Sequence, residues 1–189
     1  MKNKHIFLTG NIQVGKSTLI KSVLSNLSEG QDFKIEYDGF ITYFDQRWNE
    51  ERNLCIKRFT SDKNVETEEK TVLHFEGRPI FATLAYETVG VEVLDSLDRT
   101  KLLIFDECGR FEKECPRYID KIKEILDEDT HVIGVLRKDP PIEWIQEIMA
   151  RDDVCIFDIT EENRGILRTE VKNTLLEMLG ELEDDKTVV

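Results

Sequence analysis

The chain has 189 residues, of which 39 are acidic and 26 basic, so its formal net charge is −13 at neutral pH. A protein that binds a nucleic-acid polymer needs a basic face to release counterions. The sequence has no lysine and arginine cluster that could form one, and we expect no such partner. The length fits a single domain, residues 1–189, which ends in an acidic tail at about 181–189.

Apolar runs are too short to cross a bilayer, and one of the longest is Leu102–Phe105. Residues 1–10 lack the pattern of a signal peptide because their apolar part covers only 6–8. The four cysteines form no CxxC pair, and no histidine stands at zinc-ligand spacing. These features predict a cytoplasmic protein with free thiols and no membrane partner.

In the first half of the chain, one strand and one helix precede two predicted hairpins. The apolar run His5–Thr9 ends at a glycine, which is typical of a buried strand that leads into a turn. Apolar residues then recur at helical spacing until Leu27. We predict a strand at 5–9, a helix at 17–27, a hairpin of strands 33–44 and 54–59, and a second hairpin of strands 72–75 and 79–84.

The second half alternates apolar strands with amphipathic helices. We predict strands at 102–105, 131–136 and 154–159, and helices at 91–97, 118–126 and 162–182. Pro140 and Pro141 are expected to open one more helix, because proline is tolerated in a first turn. This alternation indicates an α/β three-layer sandwich, and the two hairpins make its mostly parallel sheet partly mixed.

A phosphate-binding loop is predicted between the first strand and the first helix. The pattern GxxxxGK[ST] is matched by Gly10, Asn11, Ile12, Gln13, Val14, Gly15, Lys16 and Ser17, with Thr18 next. Its glycines let backbone N–H groups turn inward onto a phosphate, and the following helix adds its N-terminal dipole. Lys16 would reach the β- and γ-phosphates, and the Ser17 hydroxyl would coordinate Mg²⁺. The motif therefore predicts a bound nucleoside triphosphate with magnesium.

Two neighbouring carboxylates follow the apolar run Leu102–Phe105. Ligands of open α/β sheets bind beyond the carboxyl ends of the strands, where Asp106 and Glu107 are predicted to lie. Asp106 is expected to hold the magnesium through a water molecule. Glu107 is expected to act as the general base that polarises the attacking water.

The chain also resembles a known family over roughly residues 5–170. The similar segments are Gly39-Phe40-Ile41-Thr42, Val89-Gly90-Val91-Glu92, Asp106-Glu107-Cys108-Gly109-Arg110-Phe111-Glu112, Val135-Leu136-Arg137-Lys138 and Thr160-Glu161-Glu162-Asn163-Arg164. They look like the small nucleoside-triphosphatase family that includes thermophilic nucleoside-triphosphatases and the human cancer-related nucleoside-triphosphatase. The resemblance implies a RecA-like P-loop fold, magnesium, and slow hydrolysis of several nucleoside triphosphates to diphosphate and phosphate.

Arginines are candidates for stabilising the charge of a departing γ-phosphate. Arg110, Arg137 and Arg164 follow strand ends or match positions of the family, although each could instead be a solvated or ion-paired side chain. We predict catalytic roles for Arg110 and Arg137. Asn163 and Arg164 are predicted to contact the nucleotide, with a helix cap as the alternative for Asn163.

Two other functions are compatible with the same phosphate-binding loop. A nucleotide or small-molecule kinase would transfer the phosphoryl group to an acceptor hydroxyl that Glu107 could deprotonate. Such an enzyme generally needs an acceptor pocket and a lid that excludes water. A nucleotide-dependent switch or assembly factor would instead use hydrolysis to time a partner interaction.

Overall fold

We analysed a computed structural model of the chain, which describes residues 3–29, 35–46, 49–80 and 85–180. The strands are β1 (His5–Thr9), β2 (Tyr37–Phe44), β3 (Glu51–Arg58), β4 (Glu69–Glu76), β5 (Arg78–Ile80), β6 (Leu102–Cys108), β7 (Val132–Leu136) and β8 (Val154–Asp158). The helices are α1 (Lys16–Glu29), α2 (Val91–Asp95, preceded by the π-helical turn Tyr86–Gly90), α3 (Pro116–Asp127), α4 (Glu143–Met149) and α5 (Arg164–Leu179).

All eight strands form one sheet in the order β5-β4-β3-β2-β6-β7-β1-β8. The neighbouring strands β2, β6, β7, β1 and β8 are parallel to one another. The pairs β2–β3, β3–β4 and β4–β5 are antiparallel. The sheet is therefore mostly parallel and partly mixed, as predicted. The order matters for function because β7 lies between β1 and β6, so the segments that follow these three strands meet at one edge.

Helices cover both faces of the sheet and bury two separate apolar clusters. One cluster joins α2, α3 and α4 to the sheet, and the other joins α1 and α5 to the opposite face. Successive side chains of a strand point to opposite faces of the sheet and so enter different clusters. In β1, Phe7 belongs to the first cluster, while Ile6 and Leu8 belong to the second. Each fully buried large apolar side chain contributes about 1.5–3 kcal/mol. The predicted three-layer α/β sandwich is confirmed.

The predicted elements are present in the described ranges, with shifted boundaries. The first hairpin pairs β2 with β3, and the second pairs β4 with β5; parts of the predictions at 33–34 and 81–84 and the tail at 181–189 lie outside the described residues. Within these ranges, no helix has the length and apolar composition that crossing a bilayer requires.

Two details differ from the sequence predictions near the functional edge. Strand β6 continues to Cys108, so Asp106 and Glu107 lie inside the strand and not beyond it. The continuation is possible because β6 pairs with β7 as far as Leu136, across an irregularity between Phe105 and Cys108. The prediction that two prolines open a helix is wrong, since Ile142 is extended and α4 starts at Glu143.

Candidate nucleotide-binding and catalytic site

The loop between β1 and α1 is curled by three residues with left-handed backbone angles. Gly10 has φ 129°, Gln13 has φ 69° and Gly15 has φ 97°. A Cβ atom on Gly10 would lie 2.2 Å from the carbonyl oxygen of Ile159, so only glycine allows this close approach to the end of β8. The loop thus has the backbone shape that a phosphate cradle requires.

Lys16 folds back over this loop at the start of α1. Its Nζ donates hydrogen bonds to the carbonyl oxygens of Gly10, at 2.9 Å, and Asn11, at 2.7 Å. Burial lowers the pKa of Lys16; Glu107 and Asp106 oppose this shift, while Arg137 reinforces it. The ammonium group is therefore held at the mouth of the loop, where a phosphate could replace the two carbonyls as its partner.

One hydrogen bond joins the loop to β6. The Ser17 hydroxyl donates to Oδ1 of Asp106 at 2.6 Å, although the two residues are 89 positions apart in the sequence. Asp106 is buried, which raises its pKa, and the hydrogen bond from Ser17 opposes that rise. The structure therefore brings the predicted metal-binding residues together.

The donor atoms at this contact suit magnesium. A hydroxyl and a carboxylate are hard oxygen ligands, and Mg²⁺ is usually held by one or two carboxylates, several waters and the phosphates of a substrate. In the described part of the chain, no group of three or more histidines, cysteines and acids could hold a metal ion. Ser17 and Asp106 thus fit an ion that is shared with a bound triphosphate, and they do not form a complete protein cage.

Glu107 and Arg137 lie side by side at the edge of the same cleft. Their Oε1 and Nη1 atoms are 3.9 Å apart, and the Arg137 Nε donates to the carbonyl of Asp139 at 2.9 Å. Glu107 has φ 75°, an uncommon value for a residue that is not glycine, and its side chain is 53% exposed. Arg137 follows β7, so its position beside Glu107 results from the strand order.

The cleft has a volume of about 780 Å³ and contains most of the predicted residues. Its lining comes from the P-loop, from the end of β6 and from the segment after β7. The predicted residues among this lining are Gly10, Asn11, Ile12, Gln13, Gly15, Lys16, Ser17, Thr18, Glu107 and Arg137. Val14 is buried beneath the loop and packs into the cluster with α1.

The three remaining predicted residues have different surroundings. Arg164 reaches the P-loop, because its Nη1 lies 3.7 Å from the position of a Cβ on Gly15. Asn163 uses its side-chain amide within its own turn, accepting from the N–H of Thr160 and donating to the carbonyl of Asp158. Arg110 lies over the ring of Phe111, 4.8 Å from the ring centre, and lines a neighbouring cavity.

Some residues of this edge were not singled out from the sequence. Lys138 lines the cleft and forms an ion pair with Asp158 at 2.5 Å. Thr42 donates its hydroxyl hydrogen to the backbone carbonyl of Asp106 at 3.2 Å. Both stand in segments that resemble the nucleoside-triphosphatase family, and that resemblance was the available signal.

Fold and site together define a P-loop NTPase architecture. A family model described as NTPase matches residues 5–172. The chain is 29% identical over 182 residues to the nucleoside-triphosphatase THEP1 of Thermotoga maritima, covering 93% of this chain and 98% of that protein. It is 24% identical to the human cancer-related nucleoside-triphosphatase, covering 89% and 94% of the two chains.

Solved structures agree on the fold. The crystal structure of THEP1 from Aquifex aeolicus superposes with a TM-score of 0.65 at 22% identity, covering 88% of this chain and 96% of that one. The solution structure of a human cancer-related nucleoside triphosphatase gives a TM-score of 0.66 at 23% identity, covering 92% and 98%. The chain belongs to the NTPase family, and the predicted family and enzyme class are confirmed.

Proposed function

We propose that the chain hydrolyses nucleoside triphosphates to diphosphate and phosphate in a magnesium-dependent reaction. The observation that carries this proposal is the 2.6 Å hydrogen bond between Ser17 and Asp106. It joins the P-loop to the strand that also bears Glu107, so a triphosphate tail, a cation and an attacking water could share one cleft. The names of the relatives support the same activity.

Each residue at the cleft has a proposed role. The P-loop amides and Lys16 bind the β- and γ-phosphates. Ser17 and Asp106 would hold the magnesium, which would supply positive charge against the phosphates. The oxygen of a water molecule bonds to the γ-phosphorus as the bond from that phosphorus to the β–γ bridging oxygen breaks. Glu107 accepts the proton of this water, and the diphosphate leaves with the bridging oxygen.

Arg137 is the arginine with the strongest structural support for a role in the transition state. It lines the cleft and lies 3.9 Å from Glu107, whereas Arg110 lines the neighbouring cavity. We propose that Arg137 stabilises charge on the departing γ-phosphate and that Arg164 contacts the nucleotide from across the P-loop. Catalysis by Arg110 and base recognition by Asn163 stay predictions.

A second candidate function is phosphoryl transfer to an acceptor. A second cavity of about 800 Å³ is lined by residues that follow Glu107 and Arg137 in the chain, among them Phe111, Ile119 and Trp144. A kinase needs such a pocket beside its phosphoryl donor. The hydrolase is preferred because the relatives are named as triphosphatases. A nucleotide-dependent switch and a cytoplasmic location stay predictions.

The test is phosphate release from a panel of nucleoside triphosphates with magnesium, with and without a metabolite extract. Release without any acceptor supports hydrolysis, and dependence on the extract supports the kinase. Lys16→Ala is expected to lose tight triphosphate binding and turnover, because the ammonium group is the cleft's direct contact with the β- and γ-phosphates. Lys63→Ala is the matched control, since this exposed lysine does not line the cleft. Full turnover by the Lys16 variant would refute the proposal.

A further inference from the structure

The backbone around Glu107 adopts a conformation that its surroundings must maintain. A residue other than glycine in this left-handed region costs on the order of 1–3 kcal/mol. Hydrogen bonds to three other residues hold the backbone here. Thr42 donates to the carbonyls of Asp106, at 3.2 Å, and Glu107, at 3.5 Å; the N–H of Arg137 donates to the carbonyl of Cys108; and the N–H of Gly109 donates to Oε2 of Glu112 at 3.1 Å. The acceptor of the last bond is the side chain of Glu112, which does not line the nucleotide cleft.

Glu112 is 3% exposed and is bonded on both of its carboxylate oxygens. Oε1 accepts the hydroxyl hydrogen of Tyr86 at 3.2 Å, and Tyr86 is itself 1% exposed, in the π-helical turn that precedes α2. A buried chain of hydrogen bonds therefore runs from the π-helical turn through Glu112 to the turn that follows Glu107.

The turn that Glu112 holds packs directly against Arg137. A Cβ atom on Gly109 would lie 3.5 Å from both Cβ and Cδ of Arg137 and 3.9 Å from Oε2 of Glu112. Arg137 in turn places its guanidinium 3.9 Å from Glu107. A shift of Gly109 would therefore move two groups that the proposed mechanism uses.

Burial of the Glu112 carboxyl group is unfavourable because it removes the charged form from water. Within the described ranges it forms no ion pair, and the ionisable groups that face it are Tyr86, Tyr118, Cys108, Cys115 and Glu107. Burial raises its pKa to about 7, while the hydrogen bonds from Tyr86 and Gly109 oppose that rise. An apolar side chain of similar size would avoid this desolvation but would leave the Gly109 N–H and the Tyr86 hydroxyl without their acceptor, so the test must separate the hydrogen bonds from the charge.

We propose that Glu112 is a positioning residue for triphosphate hydrolysis, which fixes the Glu107–Gly109 turn and so aligns Glu107 and Arg137 with the γ-phosphate. The inference rests on the proposed function of the cleft. Because Glu112 acts through Gly109, its loss should lower the rate of the chemical step and leave the binding of the triphosphate tail to the P-loop intact.

The experiment compares two variants of Glu112 with magnesium–ATP as the substrate. Glu112→Met removes both acceptors at similar side-chain length, and we expect kcat to fall about 10²-fold with little change in KM, as for a small misplacement of catalytic groups. Glu112→Gln keeps an oxygen for Gly109 and an amide that can donate to Tyr86, and it should restore most of kcat. The matched control is Asp38→Asn. Asp38 is another buried carboxylate, at the start of β2, and it bonds Gly39, Arg58 and Asp98.

Three outcomes would overturn the proposal: a normal kcat in Glu112→Met, failure of Glu112→Gln to recover activity, or an equal loss of kcat in a folded Asp38→Asn. Calorimetric binding of a non-hydrolysable ATP analogue with magnesium serves as a second readout, because Glu112→Met should bind it as the wild type does. Loss of that binding would also contradict the proposal. Failure of the proposed function is recognised separately, because the wild type would then release no phosphate from magnesium–ATP without an acceptor, or Lys16→Ala would release it at the wild-type rate.

Discussion

Two turns at the same edge of the sheet are held in different ways. The P-loop is shaped mainly by its own residues, through the left-handed backbone of Gly10 and Gly15 and the hydrogen bonds from Lys16 back to the loop. The turn after Glu107 is held by Thr42 of β2, by the N–H of Arg137 after β7, and by the side chain of Glu112. Of these three residues, only Glu112 is near the turn in the sequence. One turn is encoded locally, and the other depends on the assembled fold.

This difference makes the two turns sensitive to different substitutions. The P-loop should respond most to changes in its own glycines. The turn after Glu107 should respond to changes in distant partners whose side chains never touch the nucleotide.

The largest effect is expected from Gly10→Ala. The new Cβ would meet the Ile159 carbonyl at 2.2 Å, and φ 129° is unfavourable for alanine, so the loop should deform and tight triphosphate binding should be lost. Gly77→Ala is the matched control, because φ is 68° there and no atom of the described residues lies within 4 Å of the added carbon. It should cost only about 1 kcal/mol of stability. Calorimetric titration with magnesium–ATP tests both variants, and tight binding by Gly10→Ala would show that the loop is not locally constrained.

A smaller effect is expected from Thr42→Val, which acts on the second turn from a distance. The substitution keeps the shape but removes the donor to the carbonyl of Asp106, so kcat should fall about tenfold and stability by about 1 kcal/mol. Thr9→Val is the control, since the buried hydroxyl of Thr9 has no hydrogen-bond partner among the described residues. Steady-state kinetics and denaturant unfolding measure the two effects. An equal loss of kcat in both variants would mean that the Thr42 hydrogen bond has no specific role.

The smallest effect on activity is expected for Glu112→Gln, for which the prediction concerns the dependence of stability on pH. Because the pKa of Glu112 rises from 4.5 in the unfolded chain to about 7 in the fold, the folded state binds more protons between these values. Its ionisation therefore destabilises the fold as pH rises from about 4.5 to 7, by an amount on the order of 3 kcal/mol. Glu112→Gln lacks this penalty, so its stability advantage over the wild type should grow across that window and then stay level. Urea unfolding at pH 5 and pH 8 measures it; an advantage that is the same at both would contradict the assigned pKa.

The fold class and the P-loop could be predicted because their signals are local. An apolar run, a glycine motif and an amphipathic helix follow one another at the start of the chain, and each indicates its own structure. The pairing of β6 with both β2 and β7 could not be predicted, since strand order depends on contacts between segments far apart in the sequence. Without that order, Arg137 could not be preferred over Arg110.

The same reasoning explains why Thr42 and Glu112 escaped notice as contributors to the site. Both stand in segments that carry the family resemblance, but each acts on the backbone near Glu107 through a hydrogen bond that only the folded chain forms. Asn163 directly precedes α5, but its side chain accepts no hydrogen bond from the first N–H groups of that helix, and its amide bonds Thr160 and Asp158 in the preceding turn instead.

The central claim is that one cleft binds the triphosphate while a carboxylate from a separate strand activates the attacking water. The most direct test combines calorimetric binding of magnesium–ATP with single-turnover phosphate release by the Glu107→Gln variant. We expect binding close to that of the wild type and a rate lowered by roughly 10²–10⁴, the range for a lost general base. Phosphate release at the wild-type rate would contradict the role assigned to Glu107, and with it this account of the active site.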